Sequence, residues 1–102
     1  EYVVVGNAGR TVQKVAICGG AGADFIHQAL AKGADTLVTG DVKYHSAQEA
    51  VFSGLNVIDA GHQSTELPAM QDLKDRLDVY CQKQNWEIEI FLAKEDMLLK
   101  AI

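Results

Sequence analysis

Apolar positions along this 102-residue chain come in short runs punctuated by glycine. Tyr2 to Val5 is short and β-branched, and Gly6-Asn7-Ala8-Gly9 after it has turn chemistry. Val12 to Cys18 reads as a second strand, so a hairpin between the two is expected. Gly19-Gly20-Ala21-Gly22 then breaks the chain. Asp24 to Lys32 carries Phe25, Ile26, Ala29 and Leu30 on one helical face, and Gly33 ends it. Thr36 to Thr39 lacks polar alternation beyond its ends, which predicts a strand covered on both faces. Gly40-Asp41 leads into a helix over about Tyr44 to Phe52, closed by Gly54. Leu55 to Asp59 is the next strand. Leu67, Met70, Leu73, Leu77 and Tyr80 follow at steps of three and four, the stripe of a long helix. Proline is comfortable only in a first helical turn, so Pro68 sets the expected start near Ser64 or Thr65. Trp86, Ile88, Ile90 and Leu92 alternate with Glu87, Glu89 and Phe91, the pattern of a half-solvated strand. The tail from Lys94 reads as a helical turn or a docking segment.

The predicted order is β-β-α-β-α-β-α-β. It implies one α/β domain over residues 1–102, with a mixed, mainly parallel sheet and flanking helices. Gly19, Gly40 and Gly61 each follow a strand at even spacing. In an open α/β sheet such strand ends share one edge, and ligands collect there. That edge should gather Gly19–Gly22, Asp41–His45 and His62–Glu66.

Several of these residues can carry chemistry. His62 and Glu66 offer an imidazole and a carboxylate, donors that zinc, iron and manganese accept. With the helix starting near Ser64, His62 lies on the loop and Glu66 in the first turn; the same pair also fits plain capping. Asp41 is either the cap of the following helix or a carboxylate that orients a metal-bound histidine. His45 is a proton donor and acceptor near neutral pH or a satisfied, partly buried histidine. Lys43 pairs with a substrate anion or is simply solvated. Gly19, Gly20 and Gly22 open a helix, where backbone N–H groups can hold a phosphate or carboxylate; equally, they only allow a tight turn. Their spacing matches neither the dinucleotide fingerprint nor the P-loop. His27 is assigned no role.

Composition narrows the field. The formal net charge is −5 and the nine Lys and Arg are scattered, which argues against a nucleic-acid groove. Cys18 and Cys81 form no CxxC pattern and sit among apolar residues, as buried free thiols of a reducing, cytoplasmic compartment do. There is neither an apolar run long enough for a membrane span nor a basic leader. The chain starts without Met in what reads as a strand, which suggests a piece of a longer protein.

Three motifs in order, VAICGGAGADFIHQAL, ADTLVTGDVKYHSAQEA and GLNVIDAGHQSTE, resemble the carboxyl-terminal half of the Nif-three-like family, also called GTP cyclohydrolase I type 2 homologues. The likeness covers Val12 to Glu66 by motif and runs to Leu92 by pattern. It implies a dinuclear centre of divalent transition metals, with His62 and Glu66 as this half's ligands and further His and Asp ligands from an amino-terminal half whose motif is not found here. It also implies a homo-oligomer, often a hexamer, and a hydrolase-like activity on a small phosphorylated or heterocyclic substrate. With only two ligands, the chain alone is expected to bind one ion weakly or none. The alternative is a metal-binding, metal-trafficking or interaction scaffold without turnover.

Overall fold

Strands and helices alternate along most of the chain in the computed structural model, which describes residues 1–96 and Leu98. The elements are β1 (Val3–Val5), β2 (Val15–Ala21), a 3-10 turn (Ala23–Phe25), α1 (Ile26–Ala31), β3 (Thr36–Gly40), α2 (Tyr44–Phe52), β4 (Asn56–Asp59) and α3 (His62–Lys83). The chain divides into two compact units, Glu1–Thr65 and a second that begins at Glu66.

The first unit is built on one sheet of order β1-β4-β3-β2. β2, β3 and β4 run parallel, and β1 lies antiparallel to β4, so the sheet is mixed and mainly parallel as expected. The expected hairpin between the first two strands does not form. β1 and β2 are instead the two opposite edges, and residues 6–14 carry the chain from one to the other. Side chains distant in sequence tie this crossing down. Asn56, which is buried, accepts from Asn7 N at 3.0 Å and donates to Asn7 O at 2.8 Å. Asp35 accepts from Gln13 N at 2.7 Å and Lys14 N at 2.9 Å, and Arg10 donates to the Gly54 carbonyl. These bonds satisfy backbone groups of the crossing that lie outside any ladder.

Register explains the core. Ala16, Leu37, Val57 and Val5 align in one row across the four strands. That row meets Ile26 and Ala29 of α1 and Ala50 of α2, with Ala34 and Leu55 beside them. Full burial of a side chain such as Leu37 or Ile26 stabilises the fold by roughly 1.5–3 kcal/mol. The next row, Ile17, Val38, Ile58 and Val4, lies on the other face by strand alternation. β3, expected to be covered on both faces, is buried at Thr36, Leu37, Thr39 and Gly40, with Val38 half-buried.

α3 starts earlier than Pro68 suggests. His62 is its first residue, and Pro68 lies inside it. The proline has no N–H for the Ser64 carbonyl, so other bonds must hold the first turn. Along α3 run i,i+4 pairs: Arg76–Asp72 at 2.8 Å and Gln71–Asp75 at 2.9 Å are exposed, and Lys74–Asp78 at 2.7 Å is half-buried. At its far end Asn85 takes the left-handed conformation (φ 56), with Trp86 N on Cys81 O at 2.9 Å and Asn85 N on Gln82 O at 3.1 Å. This is a Schellman cap with asparagine in the place glycine usually fills. Trp86 also packs edge-on against Tyr80, ring centroids 5.7 Å apart. The strand expected over Trp86 to Leu92 is therefore absent among the described residues. Its first member closes a helix, and the rest has no ladder partner there. The turn or docking segment expected from Lys94 lies largely outside the described residues.

Candidate metal site

Because β2, β3 and β4 are parallel, their carboxyl ends open at one edge of the sheet. Gly40 ends β3 and Asp59 ends β4, and the α3 helix begins two residues beyond Ala60. A side-chain carbon on Gly40 would lie 2.5 Å from both Gly61 C and His62 N. Only glycine lets the end of β3 lie against the peptide that starts α3. Asp41, next in sequence, adopts a left-handed backbone (φ 53), a region that aspartate enters more readily than most residues.

From that corner, Asp41 Oδ2 meets His62 Nδ1 at 2.7 Å. A carboxylate oxygen accepts from Nδ1 when that nitrogen carries the imidazole proton, the tautomer in which Nε2 can ligate a metal. Metal-ligating histidines are commonly held in that tautomer by a carboxylate so placed. Both side chains are about half exposed, at 46% for His62 and 55% for Asp41. Asp59 fastens the turns on either side: Oδ2 accepts from Val42 N at 2.9 Å and Oδ1 from Gly61 N at 3.0 Å.

Two threonines tie in the glycine loop. Thr65 Oγ1 accepts from Gly20 N at 2.8 Å and lies within donating distance of Gly61 O (2.8 Å) and His62 O (2.9 Å). Thr39 Oγ1, fully buried, accepts from Gly22 N at 2.8 Å and donates to Gly20 O at 3.1 Å. Two of the amides expected to cradle an anion are thus already donated to hydroxyls. Gly19 lies exposed within β2.

The remaining expected residues are placed as follows. Glu66 is exposed and one helical turn beyond His62, so the pair is an i,i+4 pair of one helix, not a loop residue and a first-turn residue. The cap of α2 is Lys43, in extended conformation and without a side-chain capping bond; Asp41 is therefore not that cap. His45 is the second residue of α2, exposed, with its ring edge-on to Tyr44 at 6.0 Å. His27 Nε2 and Glu49 Oε1 meet at 2.6 Å and link α1 to α2. Among the described residues, no group of three or more His, Cys, Asp or Glu could hold a metal, and no helix is long and apolar enough to cross a membrane. Cys18, half-buried, and Cys81, buried, are free thiols.

Sequence reasoning missed Asp59, Thr39 and Thr65. Asp59 had a local signal: an aspartate two residues before a glycine makes an Asx turn, the bond it forms to Gly61 N. The threonines had none, since their partners lie 17 and 45 residues away.

The Duf34/NIF3 (NGG1p interacting factor 3) family model matches residues 1–97. A Bacillus subtilis protein described as a GTP cyclohydrolase 1 type 2 homolog is 39% identical over 93 residues, covering 91% of this chain and 25% of the relative. A Listeria innocua protein of the same description is 42% identical over 90 residues, covering 88% of this chain and 24% of its own length. The chain thus spans about a quarter of the length of these curated relatives. Among solved structures, a Bacillus cereus protein related to NIF3 superposes with a TM-score of 0.94 at 34% identity, over 100% of this chain and 28% of that one. Reduced HcgD from Methanocaldococcus jannaschii gives 0.62 at 30% identity, over 78% of this chain and 33% of that one.

Proposed function

The chain belongs to the Duf34/NIF3 family, and on that premise we propose that it supplies His62 and Glu66 to a centre of divalent transition metals, zinc, iron or manganese, in a hydrolase-like protein. The observation that carries this reading is the Asp41–His62 hydrogen bond, which favours the tautomer in which Nε2 can ligate a metal. An imidazole nitrogen and a carboxylate one helical turn on fit two places in the coordination of such an ion. They do not complete it. The other ligands belong to the part of the relatives' length that this chain does not span. In the whole protein the centre is dinuclear and the assembly is a cytoplasmic homo-oligomer of hexamer type.

A bound metal of this kind supplies Lewis acidity, polarising a carbonyl, imine or phosphoryl oxygen and making water a better nucleophile. The chain's own groups do the rest. Asp41 holds the His62 tautomer. His45, exposed at the start of α2, moves a proton, and Lys43 beside it meets substrate negative charge. Gly19, Gly20 and Gly22 shape the floor, and an anion there would displace the Thr65 or Thr39 hydroxyl to reach an amide. The substrate is small and phosphorylated or heterocyclic. The relatives' description points to a guanine nucleotide, but none of these side chains selects guanine.

Zinc calorimetry on the chain tests the ligand assignment. Weak binding that disappears in His62→Ala and persists in His27→Ala supports it; binding that survives His62→Ala refutes it. A second reading, a metal-trafficking or interaction scaffold, draws on the family's description as an interacting factor. Metal exchange with a partner, without hydrolysis by the whole protein, would favour it.

A further inference from the structure

Helix α3 begins three residues before Thr65, although Pro68 favours a start near Thr65 itself. Something outside the helix's own propensity holds the extra turn. The hydrogen bonds identify it. Gly20 belongs to an irregular stretch of β2, where the pairing with β3 shifts register between Ile17 and Ala21, and its backbone is left-handed (φ 75). Its N–H therefore points out of the ladder and donates to Thr65 Oγ1 at 2.8 Å. The same hydroxyl reaches Gly61 O and His62 O, the first carbonyls of the turn, at 2.8 and 2.9 Å. Thr65 N closes the turn onto Gly61 O at 3.2 Å.

We infer that Thr65 is a positioning residue: by pinning the first turn of α3 to the β2 irregularity, its hydroxyl makes His62 helical and so converts His62 and Glu66 into an i,i+4 pair. Without the hydroxyl, Gly20 N loses its acceptor and the first turn loses its clip. Pro68 then draws the start toward Ser64, and His62 returns to the loop. The functional half of this inference rests on the metal reading above; the helical half does not.

The test uses Thr65→Val, which keeps the β-branched shape and removes the hydroxyl, beside Thr65→Ser, which keeps it. Backbone ¹³Cα shifts at His62, Gln63 and Ser64 report the turn without any metal. In Thr65→Val they are expected to leave helical values, and Zn²⁺ affinity to fall by about tenfold, as loss of a supporting hydrogen bond costs metal sites. Thr65→Ser is expected to retain both. Adding Pro68→Ala to Thr65→Val should return the shifts toward helical values, because the residue favouring the later start is gone. Helical shifts retained in Thr65→Val would overturn the inference. Shifts that move in a chain whose parent binds no Zn²⁺ would leave the positioning role standing and refute the ligand role.

Discussion

Asp41 and His62 stand 21 residues apart in sequence and 2.7 Å apart in space. Their meeting depends on two backbone conditions. β3 must end on a residue without a side chain, and the next residue must turn left-handed. Gly40 and Asp41 meet both conditions in that order, and the result is an imidazole aimed from the sheet's carboxyl edge.

Asp41→Asn is expected to leave the fold nearly unchanged, since a half-exposed pair contributes only about 0–1 kcal/mol. Zn²⁺ binding should weaken by roughly 10- to 100-fold, because an amide can present its NH₂ to Nδ1 and move the proton to Nε2. Urea denaturation beside calorimetry separates the two effects. Equal affinity in the variant would remove Asp41 from the site.

Gly40→Ala should do the reverse and disturb both. The added carbon would meet backbone, not a flexible side chain, at 2.5 Å, so the start of α3 has to move. A cost of about 1–3 kcal/mol is expected from such overpacking, together with loss of metal binding. Unfolding midpoints and Zn²⁺ titration check it.

Much of this architecture could be read from the sequence. Helix α2 is found over Tyr44 to Phe52 as predicted, and Gly40 closes β3 while Gly61 follows the end of β4; Gly19, expected at a strand end, instead lies within β2, which runs on to Ala21. These features are local: hydrophobic period and turn chemistry suffice. The partner of β1 was not readable, because Gly6-Asn7-Ala8-Gly9 specifies a turn but not which edge the chain reaches. Asn56 and Asp35 decide that from far along the sequence. Trp86 to Leu92 alternates like a strand, yet Trp86 is consumed by a helix cap on Cys81 and Tyr80. Pro68 misplaced the start of α3 because the compensating bond, Gly20 to Thr65, is tertiary. At the site, Asp41 and His62 stand out as residues just beyond the ends of neighbouring strands, whereas Asp59 offers in sequence only an Asx-turn signal toward Gly61, and its bond to Val42 N is tertiary.

Stability should depend on pH through Asp35. The backbone N–H of Lys14, then that of Gln13, hold its carboxyl below the ordinary aspartate value; desolvation opposes them, and the Thr36 hydroxyl and the Arg10 charge add smaller pulls downward. The folded state therefore binds this proton less readily than the unfolded chain. Its stabilising contribution is present above the usual aspartate range and is lost as pH falls through Asp35's own lower value. Thermal unfolding in an acid series should show a shallower decline for Asp35→Asn. A parallel decline in both proteins would rule out Asp35 as a source.

Leu37→Ala tests the core at its centre. The side chain is 1% exposed and sits in the row between Ala16 and Val57. The expected loss is roughly 2–5 kcal/mol by urea denaturation. Ile17→Ala, one residue over in register and 77% exposed, should stay within about 0.5 kcal/mol.

The most direct measurement is a long-range ¹H–¹⁵N correlation spectrum of the His62 ring during a zinc titration. The expected result is a protonated Nδ1 throughout, a shift at Nε2 as zinc is added, and loss of that response in Glu66→Gln. A His62 ring that ignores zinc, or one whose proton resides on Nε2, would contradict it.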